Sequence, residues 1–138
     1  MALRLEVRGD VADGELAALH ARAFGAPGAR GPWRARLERH SLTWVLARED
    51  DRLVGFANVA WDGGAHAFLL DVVVDPAGQR RGTGRAIVRR AALEAARAGC
   101  RWLHVDFDEA LSAFYLDACG FRPTAAGVLR LDGAPLSS

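Results

Sequence analysis

The chain has 138 residues, 51% of them apolar and 25% charged, with a formal net charge of +1. That length holds one domain over residues 1–138, and the apolar share fills one core without staples. The near balance of charge argues against nucleic acid or a membrane surface as partner, and no run approaches the roughly 18 apolar residues that span a bilayer. The first residues alternate charged with apolar side chains and make no signal segment. Cys100 and Cys119 form no CxxC pair, which fits a reducing cytoplasm.

In chain order, Leu3, Leu5 and Val7 alternate with polar residues and predict a first strand. Asp13 reads as the cap of a helix that runs to about Phe24, with Leu16, Leu19 and His20 at helical spacing. Residues 25–31 read as a loop, and Pro32 opens a second short helix ending near His40. Strands at 41–48 and 53–61 flank Glu49-Asp50-Asp51, a hairpin turn. Asp62-Gly63-Gly64 turns the chain again, into a strand over 65–74 that is almost continuously apolar. Such a run predicts a central strand covered on both faces. Asp71 lies inside it, where a buried carboxylate needs a partner.

Asp75-Pro76 ends that strand, and a helix follows over 81–98 with Gly84, Ile87, Val88, Ala91, Ala92 and Ala95 on one stripe. A strand over 101–107, a short helix over 108–118 and one or two strands over 121–131 complete the chain. The strand, long helix and strand in the middle predict a parallel crossover, and the hairpin-linked strands before it predict antiparallel pairing. The expected architecture is a mixed α/β sheet with helices on both faces.

The junction Val72-Val73-Val74-Asp75-Pro76-Ala77-Gly78-Gln79-Arg80-Arg81-Gly82-Thr83-Gly84-Arg85 carries the chemistry. A helix start exposes unpaired N–H groups and partial positive charge, which together suit a phosphate or pyrophosphate. Glycines at 82 and 84 leave the approach bare, and Arg80, Arg81 and Arg85 add charged donors. Between Arg80 and Arg97 there are six arginines against one acid, Glu94. The Lys-Ser or Lys-Thr pair of a P-loop is missing, and so is the third glycine of a dinucleotide fingerprint.

Gln79-Arg80-Arg81-Gly82-Thr83-Gly84 matches every fixed position of Q/R-x-x-G-x-G/A and resembles motif A of the GCN5-related N-acetyltransferases (GNAT). Phe114-Tyr115 followed by Gly120-Phe121 is similar to the family's second landmark, an aromatic helix ending in Gly-Phe. The resemblance implies a mixed, mostly antiparallel sheet of six to seven strands with a central splay, flanked by about four helices. It implies acetyl-coenzyme A as co-substrate, no metal, and acetyl transfer to a primary amine by direct attack in a ternary complex. The backbones of Val72, Val73 and Val74 would pair with the pantetheine arm. Gln79, Arg80, Arg81, Gly82, Thr83, Gly84 and Arg85 would hold the pyrophosphate.

Two departures from the family pattern are visible. Tyr115 and Gly120 are five apart where four is usual, and Asp108 stands where an asparagine is frequent. A catalytically weak or inactive acyl-coenzyme A-binding sensor or interaction domain of the same fold is therefore the alternative reading. For the reaction itself, Tyr115 is the expected proton donor to the departing thiolate, whose thiol has a pKa of about 8.5. Asp71, Asp106 and His104 are the candidate bases, with a water chain as substitute. Phe24, Trp33, Trp61 and His66 are candidate liners of the acceptor pocket. The acceptor reads as a small-molecule or peptide amine, and a homodimer is compatible with the family.

Overall fold

Alternating strands and one long amphipathic helix build a sheet layered on both faces. The computed structural model describes residues 2–25, 32–79 and 81–133. Strands β1 (Leu3–Val7), β2 (Ser41–Glu49), β3 (Arg52–Trp61), β4 (His66–Val74) and β5 (Trp102–Val105) lie side by side in that order. The first three pairings are antiparallel and β4–β5 is parallel. Helices α1 (Asp13–Phe24), α2 (Trp33–His40) and α3 (Thr83–Arg97) connect or flank them. The predicted mixed α/β class is therefore present, with five paired strands among the described residues.

Each sheet face has its own core. Ile87, Val88, Ala91 and Ala95 of α3 pack on Val45, Ala47, Ala57, Val59, Ala67 and Leu69. Full burial of Ile87 and Val88 contributes about 1.5–3 kcal/mol each. On the opposite face Leu16 and Leu19 of α1, with Trp33 and Leu37 of α2, cover Trp44, Leu46, Phe56 and Val73. Arg48 ties this side together, reaching Glu15 at 2.8 Å and Glu6 at 3.3 Å from a buried position.

Several local expectations are corrected. Asp13 does not cap α1: Ala12 holds the cap position, and Asp13 instead accepts from the Arg34 N–H at 2.9 Å, joining α1 to α2. The stretch expected as one short helix over 108–118 is a 3-10 turn at Glu109–Leu111 followed by a π-helical turn at Ala113–Ala118. Residues 121–131 form no strand, and this accounts for the lower strand count. Pro123 has no N–H to give a ladder, and Val128, Leu129 and Leu131 face solvent instead of a sheet. Among the described residues no helix is long and apolar enough to cross a membrane.

Candidate active site

The site is set up by a bulge in β4. Phe56 pairs with Val73 and Asn58 with Leu70, so Asp71 and Val72 together oppose Ala57. Asp71 adopts φ 56°, a left-handed conformation rare outside glycine. The bulge shifts the alternation of side chains: Leu69 packs toward α3, whereas Val73 packs under α1 and α2. It also turns Asp71 outward. The carboxylate expected to be buried is one-third exposed, accepting from Asn58 Nδ2 at 3.4 Å and pairing with Arg36 at 3.5 Å.

Beyond the bulge β4 leaves its parallel neighbour. The β4–β5 ladder ends at Leu69 opposite Val105, while β4 continues to Val74 with β3 on its other side. Val72, Val73 and Val74 thus lie along a gap that opens between the two strands, as a splay requires. The Val74 carbonyl accepts from Gln79 Nε2 at 3.3 Å, which places the Gln79 side chain at the same opening.

The turn that follows is anchored by Asp75, a residue that sequence reasoning treated only as a strand stop. Asp75 is buried, and it accepts from Ala77 N–H at 2.9 Å, Arg22 Nε at 2.8 Å and Arg52 at 3.1 Å. Burial alone would raise its pKa; the Ala77 amide and the two guanidiniums outweigh that and hold it below the ordinary value. Arg22 also donates to the Leu53 carbonyl at 3.0 Å, so one side chain pins the turn to both α1 and β3. The signal available in the sequence was the Asp-Pro pair, in which the carboxylate bonds an amide two residues on.

Gly82 then adopts φ 81° at the N-cap of α3, with nothing within 4 Å of where a Cβ would stand. The first ladder bond of α3 is Ala86 N–H to the Gly82 carbonyl at 3.0 Å. The amides of Thr83, Gly84 and Arg85 lie ahead of it and point out of the helix start. Arg81 and Arg85 are exposed and make no ion pair among the described residues, whereas Arg90 and Arg97 are taken up by Glu94. This cradle fits a diphosphate. Arg80 lies outside the described residues.

Gly84 also makes room for a neighbouring ring. A Cβ there would meet Phe114 at 3.1 Å and Val74 at 3.5 Å. Its missing side chain lets the Phe114 ring press against the helix start. Tyr115 points into the core, stacked on Phe107 with centroids 4.9 Å apart and edge-on to Phe114 and Phe121. Burial raises its pKa, so the phenol is held protonated.

The remaining expected residues divide. Asp106 is exposed immediately after β5, and His104 and His66 meet on the sheet face away from α3, with Nδ1 of His66 2.8 Å from Nε2 of His104. Trp33 is no pocket liner; it is buried between His20 and Phe56. Phe24 is exposed at the end of α1, and the register of Trp61 with Ala67 assigns it to the α3 side. Among the described residues no group of three or more His, Cys, Asp or Glu could hold a metal ion.

Residues 14–121 match the model of the acetyltransferase (GNAT) family. Mycothiol acetyltransferase of Mycolicibacterium smegmatis is 35% identical over 68 residues, which is 49% of this chain and 23% of that protein. The chain thus spans under a quarter of that relative's length. A GNAT-family acetyltransferase of Streptococcus pneumoniae superposes with a TM-score of 0.76 at 21% identity, covering 95% of this chain and 98% of the other. AAC(6')-Iy, solved with the bisubstrate analogue CoA-S-monomethyl-acetylneamine, superposes with a TM-score of 0.75 at 17% identity over 97% of this chain and 100% of its own. These two superpositions establish a shared fold.

Proposed function

We propose, because the chain belongs to the acetyltransferase (GNAT) family, that it transfers an acetyl group from acetyl-coenzyme A to a primary amine by direct attack in a ternary complex. The observation that carries this reading is the cradle of free amides at the start of α3 beside the open edge of β4. The amides of Thr83, Gly84 and Arg85 bind the diphosphate, with Arg81 and Arg85 adding charge. The gap beyond Leu69 and Val105 takes the pantetheine arm along Val72–Val74 and sets the thioester near Asp106 and Phe107.

The acceptor arrives as an ammonium ion and gives up a proton, to water or to an exposed carboxylate such as Asp71 or Asp106. Its nitrogen then attacks the thioester carbonyl carbon, the C–N bond forms and the C–S bond breaks. The departing thiolate takes a proton, for which Tyr115 is the donor, the second proton shed by the nitrogen as the amide forms restores the phenol, and the products are the acetamide, coenzyme A and the one proton released before attack. Binding both substrates at once supplies most of the acceleration by proximity. The chain's own part is to hold the thioester in the splay and keep a protonated phenol within the surrounding aromatic cluster.

The test is acetyl-coenzyme A consumption with a panel of amines, alongside calorimetric titration of the cofactor. Turnover with saturable amine dependence supports the reading. Tight binding without turnover on any amine makes the chain an acyl-coenzyme A sensor, and absence of binding removes the cofactor assignment.

A further inference from the structure

One side of β5 is unused. The strand ends the sheet, and among the described residues it pairs with β4 alone. Its outward N–H and C=O groups are therefore open to a further strand, a template that natural sheets usually cover or guard. An open groove of about 1160 Å³ follows this edge, larger than the roughly 300–1,000 Å³ of a small-molecule site. Both faces of β5 contribute to it: Trp102 and His104 from one, Leu103 and Val105 from the face that packs on α3. Val88 and Ala92 of α3 lie beside those two, and residues 121–126 complete the lining.

The same chain carries an extended stretch with no sheet to join. Past Ala126, where the groove lining ends, Val128, Leu129 and Leu131 are 83%, 69% and 75% exposed. Among the described residues, no backbone–backbone hydrogen bond involves 122–131. Four residues of strand span about 13 Å, so residues 128–131 match β5 in length. The alternation matches too. Leu129 and Leu131 fall on one side of an extended chain, as Leu103 and Val105 do in β5, and Arg130 falls on the other, as His104 does. A tight hairpin that returned this stretch to its own groove would need left-handed residues at the turn. Gly127 is not left-handed, and the chain leads its leucines away from the groove that residues 121–126 border.

We infer that two copies of this chain exchange residues 128–131, each laying the segment along β5 of the other as a sixth strand. The added ladder pairs the open backbone groups of β5, and side-chain alternation sets the fit. Leu129 and Leu131 enter the groove over Val88 and Ala92, continuing the row of Leu103 and Val105. The exchange is reciprocal: the same edge and the same segment meet twice about one two-fold axis, so the assembly closes at a dimer. This interface is independent of the acetyl-transfer reading.

The experiment measures the mass of the whole chain by light scattering and sedimentation across a concentration series. The unaltered chain should be a dimer. Leu129→Asp combined with Leu131→Asp should weaken it by about a hundredfold, the loss expected when interface anchors are removed. Both side chains stand in solvent in the single chain, so this variant should still melt cooperatively. Ala92→Glu sets a charge in the groove and should weaken the dimer from the receiving side. A photo-crosslinking phenylalanine analogue at position 130, in a mixture of ordinary and isotope-labelled chains, then locates the segment. Cross-links to β5 should join light chains to heavy ones. A monomeric parent overturns the inference, and so does a dimer that survives either set of substitutions. Cross-links confined within single chains would seat the segment in its own groove and overturn the exchange.

Discussion

The backbone N–H of Cys119 donates to the carbonyl of Phe114 at 2.9 Å, five residues back where an α-helix would reach four. The π turn that this bond closes absorbs the extra residue between Tyr115 and Gly120, and π turns inside helical segments are frequent at functional sites. It lets adjacent aromatics serve two directions: Phe114 packs on Gly84 at the helix start, and Tyr115 stacks on Phe107 just past β5.

Tyr115→Phe isolates the hydroxyl from the ring. As a proton donor to the thiolate, the hydroxyl should account for about a hundredfold in kcat, while the coenzyme A dissociation constant and melting temperature change little. An unchanged kcat would assign Tyr115 to packing alone. Because burial raises the phenol's pKa, the folded state favours the neutral form. That contribution is fully present below the unfolded value of about 10 and is lost as pH rises through and beyond it. Tyr115→Phe should therefore flatten the alkaline fall in stability.

Gly84→Val should lower stability by about 1–3 kcal/mol through overpacking, since even a Cβ would stand 3.1 Å from Phe114. Adding Phe114→Leu should return part of that loss. A double-mutant cycle by urea denaturation checks the coupling, which for residues in contact runs about 0.5–3 kcal/mol. Independent, additive effects would show that the ring and the helix start do not share this space.

Asp75→Ala should destabilise the chain by about 2–4 kcal/mol, since it leaves Arg22 without its buried partner and frees the Ala77 amide. The pKa of Asp75 is lowered on folding. Its stabilisation is therefore present above the unfolded carboxylate value of about 3.9 and disappears as pH falls through the lower folded value. Thermal melts between about pH 2 and 5, the span in which a carboxylate with a lowered pKa takes up its proton, should show a steeper acid loss in the parent than in the variant.

The fold was legible wherever one local rule acted alone. The stripe of Ile87, Val88, Ala91 and Ala95 marked α3, and the apolar run before Asp75 marked a strand, although Phe68 and Leu70 within it stand exposed, so it is not covered on both faces as expected. What stayed hidden needed two segments at once. The bulge at Asp71 depends on the register of β3, so an aspartate that looked buried is exposed. The seating of Phe114 on Gly84 stayed hidden because the ring comes from thirty positions on. Val128, Leu129 and Leu131 look like a strand by composition, but β propensity records fit to a neighbouring surface, and these residues have none in the sheet. Trp33 looked like a pocket aromatic because sequence carries no sign of its stack on His20.

Arg81 and Arg85 should act on affinity and salt dependence together. Replacing both by alanine should weaken coenzyme A binding about tenfold, in line with lost charge-assisted hydrogen bonds at an exposed site. The variant's affinity should also fall less steeply with added salt. A double variant that binds with the parent's salt dependence would place the phosphates away from these guanidiniums.

The most direct measurement is a crystal structure of the chain with coenzyme A. The diphosphate should sit within hydrogen-bond reach of the Thr83, Gly84 and Arg85 amides, with the pantetheine arm running along Val72–Val74 into the gap beyond Leu69. A nucleotide bound elsewhere, with those three amides turned to protein groups, would contradict the account at its base.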